Sequence, residues 1–168
     1  EEVRKLKDNF EVCGFVDKTG IVYPLGADTK VLSTVFELVC RPAVFETARR
    51  LGKKVVEPSV QNHYPDYTLL VSETDNKKIA IDIKTTYRVK NTDKFHYTLG
   101  GYTSFIRKGN EKKNIVYSFD DYAEHWVIGF VYNRISAKKA AAEHSFTYSE
   151  IDNIPLPFDN VEVFVQEK

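Results

Sequence analysis

Long hydrophobic runs and methionine are absent from this chain of 168 residues, and only two cysteines occur in it. Because no apolar run approaches the roughly 20 residues that a membrane span requires, we expect no transmembrane segment. The N-terminus has none of the features of a signal peptide, so we expect a cytoplasmic protein. Cys13 and Cys40 lie in no CxxC motif or Cys/His cluster, which argues against a cysteine metal site and a disulfide framework. The absence of methionine leads us to expect a fragment of a longer protein.

Net charge is absent too, since 24 basic side chains balance 24 acidic ones. This balance disfavours a protein that coats nucleic acid through bulk positive charge, but it allows a local basic cleft. The length suits a single domain spanning residues 1–168. A hydrophobic fraction of 42% and a charged fraction of 29% are typical of globular proteins.

Residues 61–84 predict a β-hairpin with charged residues at one end. Two apolar, β-prone runs, residues 67–71 and 79–85, flank a segment that is rich in turn-forming residues. We predict that the two runs pair antiparallel about a turn centred on Thr74.

This pairing places Asp66 directly across from Asp82, with Cβ atoms about 5 Å apart. Strand alternation puts Lys84 on the same face as Asp82. Opposed carboxylates repel each other unless a positive charge lies between them, and Mg²⁺ binds such oxygen ligands while it keeps several waters. A Mg²⁺ site is one interpretation, and ordinary solvent-facing charges on an amphipathic strand are the other.

A helix is predicted to follow Asp28 or Thr29, either of which can cap it. Pro42 is expected to kink this helix or to start a new segment. Glu37 lies beside the apolar stripe of the helix. It is either a solvated glutamate, the acidic member of a capping box with Thr34, or a third carboxylate directed at the same patch as the aspartates.

The remaining predicted elements are short. Residues 1–10 are compatible with a helix, residues 137–143 with a small helix or linker, and the flanks of the turn at 17–20 with a hairpin. Four further runs are predicted strands: 53–56, 114–117, 126–134 and 161–165. Because the segment between the second and third of these runs is too short for a crossover helix, we predict an antiparallel connection there.

Polar loops beside the hairpin suggest contacts with nucleic acid. Gln61 and Asn62 carry amides that can donate to and accept from base edges, and the composition of the loop favours a polar turn as the alternative interpretation. Thr85 and Thr86 precede a basic run, residues 88–94, which either holds phosphates or is a solvated loop.

Pro65-Asp66 followed by Asp82-Ile83-Lys84 resembles the active-site signature of the PD-(D/E)xK nucleases. In more detail the chain resembles a type II restriction endonuclease of that superfamily. The matching stretches cover most of the chain: residues 22–38, 61–69, 76–87, 98–107, 113–120 and 125–134. Val60 stands where the family has a glutamine. The family also continues past Lys168 into a glycine-rich loop that reads the major groove, so we expect truncation at the C-terminus.

The resemblance implies a Mg²⁺-dependent homodimer, with Mn²⁺ as a substitute, that cuts both strands of a short palindromic DNA site. A GATATC-like site and blunt ends are part of this implication. Asp66, Asp82, Lys84 and Glu37 would be catalytic, and the three carboxylates would bind metal together with the Ile83 carbonyl. DNA contacts are implied for a further set of residues: Gln61, Asn62, Lys30, Thr29, Asp28, Thr85, Thr86 and Ser104.

The fold implied by the resemblance is α/β and restriction-endonuclease-like, with a central mixed, largely antiparallel sheet flanked by helices. Residues 11–25 would form a dimerisation hairpin, since a two-fold DNA site calls for a two-fold protein. Two alternatives stay open: a repair or resolvase-type nuclease on the same fold, and a truncated DNA-binding module without turnover.

Overall fold

The computed structural model describes residue 2 and residues 10–60, 62–90, 92–108, 114–136 and 144–168. The helix expected within residues 1–10 and the helix or linker expected at 137–143 lie outside the described residues. In chain order the strands are β1 (Gly14–Val16), β2 (Ile21–Pro24), β3 (Lys54–Val56), β4 (Tyr67–Leu70), β5 (Lys78–Tyr87), β6 (Tyr122–Arg134), β7 (Phe146–Thr147) and β8 (Phe158–Glu167). The helices are α1 (Thr29–Arg50) and α2 (Gly101–Lys108), with short 3₁₀ helices at Phe119–Asp121 and Tyr148–Asn153.

The central sheet has five strands in the order β3-β4-β5-β6-β8. Its pairs are antiparallel except for β5 and β6, which run parallel. The predicted mixed, largely antiparallel sheet is therefore confirmed. The strands predicted at 53–56 and 161–165 correspond to β3 and to the middle of β8.

The predicted antiparallel connection between strands at 114–117 and 126–134 is wrong. Residues 114–117 form no strand, and only a single parallel bridge joins Ile115 to Tyr64. Strand β6 instead pairs with β5 in parallel, from Lys78 opposite Tyr122 onward. A parallel neighbour needs a long connection, and the chain between β5 and β6, which includes α2, supplies it.

Helix α1 begins after Asp28, whose carboxylate accepts hydrogen bonds from the amides of Lys30 and Val31 at 2.8 and 3.2 Å. The predicted cap is therefore confirmed. The helix continues through Pro42 as one element and ends at Arg50, so no new segment starts at the proline, and a kink there stays a prediction.

Two apolar clusters hold helices against opposite faces of the sheet. On one face, Phe36 of α1 packs against Phe130 of β6, with the ring centroids 5.0 Å apart, in the cluster that also contains Ile81. On the other face, Phe105 of α2 belongs to a cluster with Ala80, the residue next to Ile81. Strand alternation therefore directs the even-numbered residues of β5 toward the α2 side.

A second, three-stranded sheet has the order β1-β2-β7. The predicted N-terminal hairpin is confirmed, with Phe15 opposite Tyr23. This hairpin leaves Phe15, Val16 and Tyr23 about half exposed. Among the described residues, neither helix has the length and apolar character needed to span a bilayer.

Candidate active site

The hairpin of β4 and β5 places two aspartates opposite each other. The register pairs Tyr67 with Ile81 and Thr68 with Ala80, so the next position along brings Asp66 across from Asp82. The predicted register is therefore confirmed. Asp66 is also fixed from the neighbouring strand, because its Oδ2 accepts a hydrogen bond from the Ile83 amide at 2.5 Å.

Lys84 lies two residues after Asp82 on the same face of β5. Its Nζ is 2.7 Å from Asp82 Oδ1 and donates a second hydrogen bond to the Ile83 carbonyl at 3.3 Å. The Asp82 carboxylate is buried, whereas the Lys84 side chain keeps 24% of its surface exposed. The ammonium of Lys84 is thus held by the site and remains accessible from solvent.

Burial raises the pKa of Asp66 to about 7, and the charge of Asp82 adds to this effect. The Ile83 amide and the Lys84 ammonium oppose the shift in pKa, while Glu37 reinforces it. Repulsion from the opposed Asp82 carboxylate therefore contributes to the raised pKa of Asp66, as the opposed arrangement predicts. A positive charge placed between the two aspartates would relieve it.

Glu37 lies on α1 and is half-buried. Burial raises its pKa, the Lys84 ammonium lowers it and Asp82 raises it, so the side chain responds to the charges of this site. The capping-box interpretation is wrong, because α1 begins at Thr29 and the Thr34 hydroxyl donates to the Lys30 carbonyl within the helix.

The donor atoms suit a hard divalent cation. Asp66 and Asp82 offer carboxylate oxygens and Ile83 offers a carbonyl oxygen, and Mg²⁺-type sites use one or two carboxylates with waters in the other positions. Among the described residues, no three His, Cys, Asp or Glu side chains are grouped closely enough to hold a metal ion. The site thus offers two opposed aspartates, and a metal-binding role for Glu37 stays a prediction.

Lys168 is a residue of this site that the sequence analysis missed. Its Nζ lies 2.6 Å from Asp82 Oδ2, and its side chain is only 1% exposed. Burial lowers the pKa of Lys168, and the Asp82 carboxylate opposes this. No local pattern marks this lysine, since it is 86 residues from Asp82 in the sequence. Only the pairing of β8 with β6 brings the two together.

Tyr64 and His125 support the segment that leads into Asp66. A hydrogen bond of 2.7 Å joins the Tyr64 hydroxyl to His125 Nδ1. The backbone of Tyr64 is held between Asn114 and Val116 by two further hydrogen bonds. Burial lowers the pKa of His125 to about 4, and the Lys168 charge contributes to this lowering.

The residues expected to contact DNA fall into two groups. Thr85 and Thr86 at the end of β5 already have protein partners, the Ser33 hydroxyl at 2.7 Å and the His96 carbonyl at 2.6 Å. The other described members of the set have exposed side chains: Asp28, Thr29, Lys30, Asn62 and Ser104. Gln61 lies outside the described residues.

Comparison with known proteins gives one consistent result. The family model described as restriction endonuclease EcoRV matches residues 6–168. The type II restriction enzyme EcoRV of Escherichia coli is 52% identical to the chain over 159 residues, which is 95% of this chain and 64% of that relative. The chain therefore spans less than two thirds of the relative's length.

Proposed function

Since the chain belongs to the EcoRV restriction endonuclease family, we propose that it hydrolyses phosphodiester bonds in double-stranded DNA as a type II endonuclease. The observation that carries this proposal is the arrangement on the hairpin of β4 and β5. Asp66 and Asp82 are opposed across two strands, and Lys84 is bound to Asp82 at 2.7 Å on the same face. Two carboxylates can hold a divalent metal ion, and an ammonium beside them can stabilise charge that develops on a phosphate, so the arrangement suits metal-assisted phosphodiester hydrolysis.

We further propose a divalent metal cofactor, with Mg²⁺ as the working ion and Mn²⁺ as a substitute. Asp66, Asp82 and the Ile83 carbonyl would hold it, because these are the oxygen donors that the hairpin places together. A metal ion bound there would act as a Lewis acid on the phosphate and lower the pKa of a bound water. The raised pKa of Asp66 supports this assignment, because burial is its first cause and the Asp82 charge its second, and a nearby cation would offset the repulsion from Asp82.

Lys84 stabilises the negative charge that develops on the phosphate oxygens during hydrolysis. Its accessible ammonium, positioned by Asp82, is suited to this role. Glu37 acts from the α1 side of the site, where it orients a water molecule or a second metal ion. The electrostatic effect of Lys84 and Asp82 on Glu37 supports its inclusion in the catalytic set.

The exposed residues near the N-terminus of α1 and on α2 would contact the DNA backbone. Lys30 and Thr29 lie in the first turn of α1, where the helix dipole favours a phosphate and the exposed lysine and threonine side chains can contact one. The Asp28 carboxylate is already used as the cap, so a role for Asp28 in DNA binding is indirect, through the position of this turn. Asn62 adopts a positive φ of 71°, which turns the loop before Asp66 back on itself.

We also propose a homodimer formed through the β1–β2 hairpin, within residues 11–25. Phe15, Val16 and Tyr23 are each about half exposed on this hairpin, and large apolar side chains of this kind favour an interface. A two-fold dimer would present two active sites to the two strands of a palindromic DNA site. The GATATC-like site and the blunt ends stay predictions from the family resemblance. A cytoplasmic location is supported by the two free, buried cysteines, Cys13 and Cys40.

The test is a cleavage assay on supercoiled plasmid with Mg²⁺, with the wild type, Asp82→Ala and Lys84→Ala compared. We expect discrete fragments from the wild type and at least 100-fold slower cleavage by both variants, as for the loss of a metal ligand or a charge-stabilising group. Asp152→Ala and Lys77→Ala are matched controls at exposed positions and should cleave at the wild-type rate.

The alternatives give different outcomes in the same assay. Cleavage of branched junctions or flaps, without fragments from linear duplex, would favour a repair nuclease. Retarded mobility of the DNA without cleavage, unchanged by either substitution, would favour a binding module and contradict the proposed activity.

A further inference from the structure

Lys168 follows the last residue of β8 and continues its pairing with β6. Trp126 is opposite Glu167, and the Lys168 amide donates a hydrogen bond to the His125 carbonyl at 2.8 Å. Because side chains alternate along a strand, Lys168 projects from the sheet on the face that also carries Asp82. One strand, β6, therefore lies between the backbones of Lys168 and Asp82, and the lysine side chain reaches across it.

The ammonium of Lys168 lies in a site built for a cation. Its side chain is 1% exposed, and its Nζ is 2.6 Å from Asp82 Oδ2. Nζ also lies 4.8 Å from the ring centroid of Tyr64 and 4.9 Å from that of Tyr102. A buried ammonium is costly unless it is paired, and the faces of aromatic rings attract a cation. One carboxylate and two aromatic rings compensate the burial.

Each oxygen of Asp82 therefore faces a different lysine. Oδ1 is 2.7 Å from Lys84 and Oδ2 is 2.6 Å from Lys168. The two lysines differ in access, since 24% of the Lys84 side chain is exposed but only 1% of the Lys168 side chain. Lys84 can reach a bound phosphate, whereas Lys168 is enclosed and acts through Asp82.

We propose that Lys168 is a positioning residue, an internal counter-cation that orients Asp82 and competes with a divalent metal ion for this carboxylate. The inference rests on the proposed function, in which Asp82 is a metal ligand. Lys168 holds Asp82 in place between the strands before metal binds, and the same charge lowers the affinity of the site for a divalent cation.

Metal binding tests this role independently of cleavage. Binding of Mn²⁺ to the intact protein, without DNA, is measured by electron paramagnetic resonance for the wild type, Lys168→Met and Lys168→Gln. Removing one positive charge adjacent to a metal ligand should raise the affinity for Mn²⁺ by about tenfold or more, because Coulomb's law gives about tenfold at a water-like dielectric constant and burial strengthens the interaction. The glutamine variant retains a hydrogen-bond donor for Asp82 and should show the same gain. Lys77→Met removes an equal charge at an exposed position and should leave the affinity unchanged.

The outcomes separate the inference from the proposed function. Stronger Mn²⁺ binding in both Lys168 variants, with folding confirmed by circular dichroism, supports the competition. If the wild type and both variants bind Mn²⁺ equally, or if either folded variant binds it more weakly, Lys168 has only a structural role and the inference is wrong, while the metal site stands. If none of the three proteins binds Mn²⁺, the proposed metal site is wrong and the inference is lost with it.

Discussion

The raised pKa of Asp66 predicts that replacing this residue stabilises the fold. The variant Asp66→Asn removes the carboxylate charge but keeps an oxygen that can accept the hydrogen bond from the Ile83 amide. In the folded chain burial and the Asp82 charge raise the pKa of Asp66 to about 7 from its ordinary value of 3.8. The wild-type carboxyl therefore retains its proton in the folded state at pH values where the unfolded chain has lost it.

The sign of the effect follows from linkage. Because the unfolded state releases this proton first, the stability contributed by the protonated group is lost as the pH rises from about 4 to about 7. At 1.36 kcal/mol per pH unit the difference in pKa corresponds to a ceiling of about 4 kcal/mol, of which roughly 3 kcal/mol is lost between pH 5 and pH 8. Water can reach the partly exposed carboxyl, so we expect about 2 kcal/mol.

Urea unfolding at pH 5 and pH 8, in the presence of a chelator, measures this difference. The quantity to compare is the unfolding free energy of Asp66→Asn minus that of the wild type. This difference should be about 2 kcal/mol larger at pH 8 than at pH 5. Asp93→Asn, at an exposed position, is the control and should differ from the wild type equally at both pH values. If Asp66→Asn shows no gain in unfolding free energy over the wild type, or a gain that is larger at pH 5, the Asp66 carboxyl is not strained in the folded state.

Three further predictions concern the scaffold. Phe36→Ala should lower the unfolding free energy by about 3–5 kcal/mol in urea titrations because the ring is fully buried among other rings, whereas exposed Leu38→Ala should change it by less than about 1 kcal/mol. Asp28→Ala should cost about 1 kcal/mol through the lost helix cap while Asp28→Asn costs little, and equal losses would contradict the capping role. As the pH falls from 6.5 toward 4, protonation of His125 should favour the unfolded state, because burial lowers the pKa of this ring in the folded chain. The wild type should therefore lose up to about 3 kcal/mol of its unfolding free energy relative to His125→Gln, which thermal melts measure. A difference between the two proteins that does not change with pH would show that the ring is not held neutral by burial.

Local patterns were enough to predict the hairpin at the centre of the site. The turn-forming residues between two apolar runs defined the register, and the register alone places Asp66 opposite Asp82. The cap of α1 was equally predictable, because an aspartate before an apolar stripe has one dominant structural use. In both cases neighbouring residues determine the geometry.

Such local patterns could not predict which strands from distant parts of the chain pair with each other. The parallel contact of β5 with β6 depends on a crossover of more than 30 residues. Residues 114–117 have the composition of a strand but form only a single bridge, with Tyr64. Lys168 reaches Asp82 only because β8 adds to the far edge of β6. An isolated lysine near the end of a strand carries no sign of such a role. The new segment considered at Pro42 did not form for a different reason: the residues around the proline pack in the core with the sheet, which compensates the lost hydrogen bond.

In the proposed mechanism a divalent metal ion binds between Asp66 and Asp82. Fe²⁺ can be exchanged into such a site, and with ascorbate and peroxide it generates radicals that cleave the nearest peptide bonds, which mass spectrometry identifies. We expect chain cleavage beside Asp66 and within residues 82–84, both suppressed by excess Mg²⁺ and lost in Asp82→Ala. Cleavage confined to other parts of the chain, or unchanged in Asp82→Ala, would contradict the proposed metal site.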